Sequence, residues 1–155
     1  MKLSSSYPHL AVDKMELVTE HPIDLCTMLA KVQHPKAGAV VLFSGEVRNH
    51  SHKRNVSHLF YECYKPMAEK MIDEIVEEAK AKFNLHEALC IHRVGKVEIA
   101  ESAVVVITAS SHRKEAYEAN RYIIDRVKHE APIWKKEFFE DGTHEWGYNC
   151  SCHAH

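Results

Sequence analysis

The clearest hydrophobic run begins after Gly38, where Ala39-Val40-Val41-Leu42-Phe43 is unbroken and partly β-branched, predicting a strand buried on both faces and central in its sheet. A polar stretch from Gly45 to Asn55 follows, and Val56 to Glu62 resumes an alternation through His58, Phe60 and Glu62, so the two strands read as a hairpin with a basic tip. Pro66 opens a helix with Met67, Met71, Ile72, Ile75, Ala79 and Phe83 on one apolar stripe and an acidic-leaning charged face opposite. Residues 89–94, 96–99 and 103–109 have the pattern of three strands. A third helix, capped by Ser110 or Ser111, buries Ala116, Asn120, Ile123, Ile124 and Val127 and ends near 128–130, ahead of Pro132. Before these elements, 10–18 suit a short edge strand. Pro22 at a first helical position, with Ile23, Cys26, Leu29, Ala30 and Gln33, predicts a helix that stops before Pro35. With no internal repeat, the order is strand, helix, two strands, helix, three strands, helix and tail, an α+β arrangement.

Length agrees with one such domain. The chain has 155 residues, 45% of them apolar and 27% charged, and can bury a sufficient core without metal or disulfides. The expected organisation is a loose terminus at 1–9, a domain at 10–146 and a Cys/His-containing tail at 147–155. A formal charge of −2 argues against a general nucleic-acid binder. The longest stretch free of Asp, Glu, Lys, Arg and His, from Ser102 to Ser111, is half of the roughly 20 residues a membrane span needs. No apolar leader follows Met1-Lys2, so the expected compartment is the cytosol. Five cysteines is an odd number, and Cys26, Cys63 and Cys90, each alone in an apolar segment, are expected to pack as reduced core residues.

Local charge is more informative than the total. Between His112 and Lys136 lie seven Lys and Arg against four Asp and Glu. If strand ends and helix termini bring Arg48, His112, Arg113, Lys128 and Lys135 together, the result is an anion pocket suited to a phosphate. A lysine there, beside a buried Trp134 and other cations, would have its charged form disfavoured and its pKa lowered toward the range useful for proton transfer. The solvated-surface alternative is a set of exposed charges with Lys128 complementing a helix C-terminus. No nucleophile elbow, phosphate-binding loop or dinucleotide fingerprint is present. The run Cys150-Ser151-Cys152-His153-Ala154-His155 offers soft ligands but no second Cys pair at finger spacing, and no metal site is expected of it.

Five blocks carry a resemblance: "LFSGEVRNH", "YECYKPMAEKMI", "IHRVGKVEIAESAVVVITASSHRKEAYEA", "VKHEAPIWKKE" and "DGTHEW". Over roughly residues 37 to 146 the chain resembles the large, catalytic subunit of molybdopterin synthase. The resemblance implies a single-domain α/β hammerhead fold with three main helices and an antiparallel or mixed sheet. It also implies a homodimer within a heterotetramer, each large subunit partnered by a small ubiquitin-like subunit whose C-terminal thiocarboxylate carries sulfur. The implied substrate is cyclic pyranopterin monophosphate, or precursor Z, converted to the dithiolene of molybdopterin in molybdenum cofactor biosynthesis. By the family's pattern Lys128 and Lys135 are catalytic, and Glu46, Val47, Arg48, His112, Arg113, Lys128, Lys135, Lys136 and Glu137 contact substrate. Neither a cofactor nor a metal is implied, and neither nucleic acid nor membrane is an expected partner. The segment 49–55 lacks the glycine that family members often carry, and no Arg or Lys follows Trp146. Two other readings compete: a non-catalytic phosphate- or nucleotide-binding module using the same cleft, and a Cys-based sulfurtransferase acting through Cys150 or Cys152.

Overall fold

The computed structural model describes residues 15–147. Expectations placed on 1–14 and on 148–155, including the Cys150–His155 ligand run, lie outside the described residues. Within them the chain forms β1 (Val18–Thr19), α1 (Leu25–Lys31), β2 (Ala39–Glu46), β3 (His50–Ser51), β4 (Arg54–Cys63) and α2 (Lys65–Phe83), followed by β5 (Glu87–Arg93), β6 (Gly95–Glu98), β7 (Ser102–Ser110), α3 (Arg113–Glu130), β8 (Ile133–Phe139) and β9 (His144–Gly147). This is the α+β, three-helix class that the sequence predicts, with two strands more than expected after α3.

One sheet has the order β1-β5-β7-β2, with β1 parallel to β5 and the remaining pairs antiparallel. The second runs β3-β4-β8-β9, with β6 also paired to β4. Helices α2 and α3 cover one face of the first sheet, where Ala88, Cys90, Val104 and Val106 meet Ile72, Ile75, Ile123 and Val127; α1 covers the other, against Leu89, Ile91, Val105 and Ile107.

Several local readings change. The all-apolar run 39–43 is β2, an edge strand with Val40 47% and Phe43 36% exposed, and the strand buried along its whole length is β7. Both runs read alike in sequence because apolar content does not reveal how many neighbours a strand has. Nor do β2 and β4 form a hairpin: they lie in different sheets, and the hairpin is β3–β4, pairing Ser51 with Arg54 across His52-Lys53. Both turn residues have positive φ, 49° and 67°, the left-handed pair of a tight two-residue turn usually supplied by Asn-Gly. Helix α1 begins not at Pro22 but after Asp24, whose carboxylate accepts from the Cys26 and Thr27 N–H groups. Neither serine caps α3: His112 holds the cap position, while Ser110 Oγ donates to the His112 carbonyl and Ser111 Oγ bonds His86 Nε2. Cys90 is buried as expected, but Cys63 is half-buried and Cys26 exposed. Met67, placed on the apolar stripe of α2, is also exposed.

Asn120 locks α3 to both strands beneath it, its Nδ2 donating to the carbonyls of Val41 and Val106 at 3.0 Å each. Replacing it with Leu keeps much of the volume but forfeits both bonds in a buried setting, so Asn120→Leu is expected to lower unfolding free energy by about 2 kcal/mol in a urea titration.

A candidate active site where the second sheet meets the third helix

Directly opposed residues of an antiparallel pair share a face. In β8 this places Ile133, Lys135 and Glu137 on the face that carries Cys63, Tyr61 and Leu59 of β4, and Trp134, Lys136 and Phe138 on the other. Leu59, Tyr61 and Ile133 belong to the main core, so Lys135 and Glu137 enter the molecule on its inner side. Lys135 Nζ stands 3.6 Å from Glu137 Oε1, while Glu137 Oε2 is buried without a hydrogen-bond partner.

The last turn of α3 delivers Lys128 to the same place. Burial lowers the pKa of its ammonium, and repulsion from Lys135 and from Arg48, just beyond β2, lowers it further. Underneath, the Tyr61 ring meets the His92 ring edge-on at 5.0 Å. Burial raises the Tyr61 phenol's pKa, and the Glu137 carboxylate adds to the effect. The His92 imidazole is pushed down to about 4, chiefly by burial and secondarily by the Lys128 charge, against the opposing hydrogen bond to the Arg93 carbonyl. Three cations on a partly enclosed surface, with one carboxylate among them, can hold an anionic ligand and supply or remove a proton.

The His92 shift carries a stability consequence. An unfolded histidine takes a proton near pH 6.5, whereas the folded one resists protonation until about pH 4, so this contribution is complete above 6.5 and is lost as pH falls through that window. Denaturant titrations from pH 7 to 4 should show a loss of up to about 3 kcal/mol from this one group, and the component should vanish in His92→Phe.

Comparison with known proteins places this arrangement. The profile of the MoaE protein family matches residues 18–130. The chain belongs to the MoaE family. The molybdopterin synthase catalytic subunit of Thermoplasma volcanium is 44% identical over 129 residues, covering 83% of this chain and 94% of that protein. The catalytic subunit of Bacillus subtilis is 43% identical over 129 residues, covering 83% and 82%. Among solved structures, molybdopterin synthase from Staphylococcus aureus superposes with a TM-score of 0.79 at 38% identity, over 84% of this chain and 94% of that one. Catalytic subunits at this level of identity do not favour the non-catalytic binding module.

This MoaE-family fold brings together Lys128, Lys135, Arg48 and Glu137, but not every residue expected beside them. His112 and Arg113 begin α3, and Lys128 lies fifteen residues farther along it, about 22 Å at the helical rise. A straight helix cannot bring its two ends to one pocket, so the single five-residue cation cluster expected from sequence does not form within one chain. Trp134 is 52% exposed rather than buried between the lysines, because it falls on the outer face of β8. Lys136 shares that outer face, its ammonium 5.3 Å from the ring centres of both Phe138 and Trp146. Val47 is buried, its N–H donating to the Glu101 carbonyl and its own carbonyl accepting from Ala100. Glu46 is exposed and accepts from Ser44 Oγ. Sequence reasoning missed Tyr61 and His92. Tyr61 alternates in register with Leu59 and Cys63, a signal that marks it as inward-facing but not as a neighbour of Lys135. Among the described residues no group of three His, Cys, Asp or Glu side chains could hold a metal.

Proposed function

We infer that this protein is the catalytic subunit of a molybdopterin synthase, moving sulfur from the thiocarboxylated C-terminus of a small ubiquitin-like subunit onto cyclic pyranopterin monophosphate. The observation that supports this reading best is the convergence of Lys128, Lys135 and Arg48, with Lys128 lowered in pKa by burial and by the other two. Both reactants are anions, one a thiocarboxylate and the other a phosphate ester, so three cations suit the encounter. The sulfur arrives on the partner, which leaves the chain's own thiols free of a nucleophilic role and agrees with a buried Cys90 thiol pushed up to about 12. Reduced thiols and a thiocarboxylate partner fit a cytosolic setting. No described helix is long and apolar enough to cross a membrane.

In this reading Lys128 and Lys135 are catalytic, while Arg48, His112, Arg113 and Glu137 bind or orient substrate. The 22 Å or so along α3 then has a natural resolution: a second copy of the chain presents its His112-Arg113 end to the first copy's lysines. The open edge of β2, with Val40 and Phe43 exposed, is a surface such a pairing could cover. Neither Lys136 nor Glu46 faces the lysine pair, and they contribute to substrate contact only from its rim.

The deciding experiment is reconstitution of the chain with a thiocarboxylated small subunit and precursor Z, with product oxidised to a fluorescent pterin; no product would end the reading. Arg48→Ala and Arg113→Ala should each weaken precursor Z binding by about tenfold or more while leaving the saturated rate nearly unchanged, because a guanidinium on a phosphate acts in ground and transition states alike. If the second copy supplies Arg113, mixing Arg113→Ala chains with Lys128→Ala chains should create intact sites in mixed dimers and raise turnover at low precursor Z concentration above that of either variant alone.

A further inference from the structure

On the inner face of β4, Tyr61 stands directly across the ladder from Lys135 of β8, at the spacing of about 5 Å between Cβ atoms that such a pair has, with Glu137 on the diagonal. Across its other ladder Tyr61 opposes Gly95 of β6, which has a φ of 78°, carries no side chain and has open space where a Cβ would stand. The tyrosine is thus flanked by the lysine on one side and by room on the other. Its ring belongs to the main core and the residue is only 6% exposed. Even so, the hydroxyl is not sealed from solvent, and no described residue shares a hydrogen bond with it.

A buried tyrosine ordinarily gives its O–H a partner, and packing alone would be served as well by phenylalanine. Two acceptors in the neighbourhood do not take this one. Nε2 of His92, on the ring that Tyr61 meets edge-on at 5.0 Å, has no hydrogen-bond partner among the described residues, and neither has Oε2 of Glu137. The other Glu137 oxygen stands 3.6 Å from Lys135 Nζ. Burial, and after it the Glu137 carboxylate, holds the phenol well above its ordinary pKa, so the oxygen keeps its proton and remains a donor throughout the neutral range. An unengaged O–H beside an ammonium, on one face of two adjacent strands, is a pair of donors directed at an anion.

We propose that Tyr61 is a further substrate-contacting residue of this site, its hydroxyl donating a hydrogen bond to the acyl oxygen of the thiocarboxylate that Lys135 attracts. The class of ligand follows from the pair of donors. A thiocarboxylate is flat and carries a single charge over one oxygen and one sulfur, and two donors side by side match two adjacent acceptor atoms. A phosphate presents oxygens on several sides and is better met by Arg48 and Lys128 than by a neutral phenol with a carboxylate nearby. The identity of the thiocarboxylate as the small subunit's C-terminus rests on the synthase reading, but the affinity of the hydroxyl for such a group can be tested without it.

Tyr61→Phe removes one oxygen and no hydrogen bond to a described residue, so its urea midpoint should equal or exceed that of the wild type; a marked fall would give the hydroxyl a structural partner and overturn the proposal. Calorimetric affinity for the thiocarboxylated small subunit should drop about tenfold in Tyr61→Phe, while affinity for a small subunit shortened by its last residue should stay the same. Equal losses with both forms would make the effect one of packing, and no loss with either would leave the hydroxyl without a role. Precursor Z affinity should not change, and a loss confined to precursor Z would hand the hydroxyl to the other reactant; each of these three results refutes the assignment. A titration independent of the synthase uses thioacetate, added to full-length protein labelled at tyrosine 13Cζ, with the Tyr61 resonance assigned by its loss in Tyr61→Phe. A saturable shift that inorganic phosphate does not reproduce at equal ionic strength, and that disappears in Lys135→Met, supports the contact. An unmoved resonance, or the same shift with phosphate, rejects it. A wild-type protein that neither binds the small subunit nor transfers sulfur would sink the synthase reading and leave the thioacetate titration to judge the hydroxyl.

Discussion

Lys135→Ala should abolish synthase turnover, with a rate loss on the order of a thousandfold, while far-UV circular dichroism and the cooperative unfolding transition are retained. The size follows from what the ammonium faces. A cation placed on the inner side of β8, partly sheltered from water, stabilises charge developing on the reacting thiocarboxylate far more than a solvated one could. The substitution also removes the partner of Glu137, whose side chain is only 13% exposed and whose second oxygen already lacks a donor. Stability should therefore fall. A second substitution separates the two effects: Lys135→Ala with Glu137→Gln should recover much of the lost melting temperature and none of the activity. Activity near wild type in Lys135→Ala would remove this lysine from the chemistry.

Lys128 makes the second large difference, and the informative comparison is between arginine and alanine. Burial, Lys135 and Arg48 all lower its pKa, whereas the helix C-terminus and a bound phosphate act the other way. Arginine supplies the charge for binding but cannot release a proton near neutral pH. Lys128→Arg is expected to bind precursor Z and turn it over at least a hundredfold more slowly, and Lys128→Ala to lose both properties. A lysine that only complements a helix end predicts that arginine serves as well. Single-turnover rates across pH 6 to 9 distinguish the two, with small-subunit binding measured separately, and near-normal rates in Lys128→Arg would reject proton transfer by this side chain.

The elements that could be read from sequence are those whose burial has one clear period. Helices α2 and α3 announce themselves through Ile72, Ile75 and Ala79 and through Ala116, Ile123 and Val127, and strands β5 to β7 through their apolar content. Strand β8 escaped because its inward positions include Lys135 and Glu137 and its outward ones Trp134 and Phe138, which inverts the usual alternation at the proposed site. Strand β9, His144–Gly147, lies at a sheet edge with no residue buried and so has no hydrophobic pattern to find. Local charge marked Lys128 and Lys135 as candidates and the family resemblance supplied their catalytic role, but nothing in their spacing across Pro132 fixed their approach. The separation of His112 from Lys128, by contrast, was implicit in the predicted helix, since its length alone forbids a common pocket.

The outer face of the second sheet has a spectroscopic consequence. The sequence contains two tryptophans, Trp134 and Trp146, and both sit there about half exposed, the latter beside the Lys136 ammonium. No indole enters either hydrophobic core, so intrinsic emission is blind to α2, α3 and the four strands beneath them. A fluorescence melt of this protein follows the detachment of β8 and β9 and will run ahead of the circular-dichroism melt wherever that edge frays first. The same optical locality makes emission a direct gauge of anything that settles on this face, a bound partner included, without any label being added.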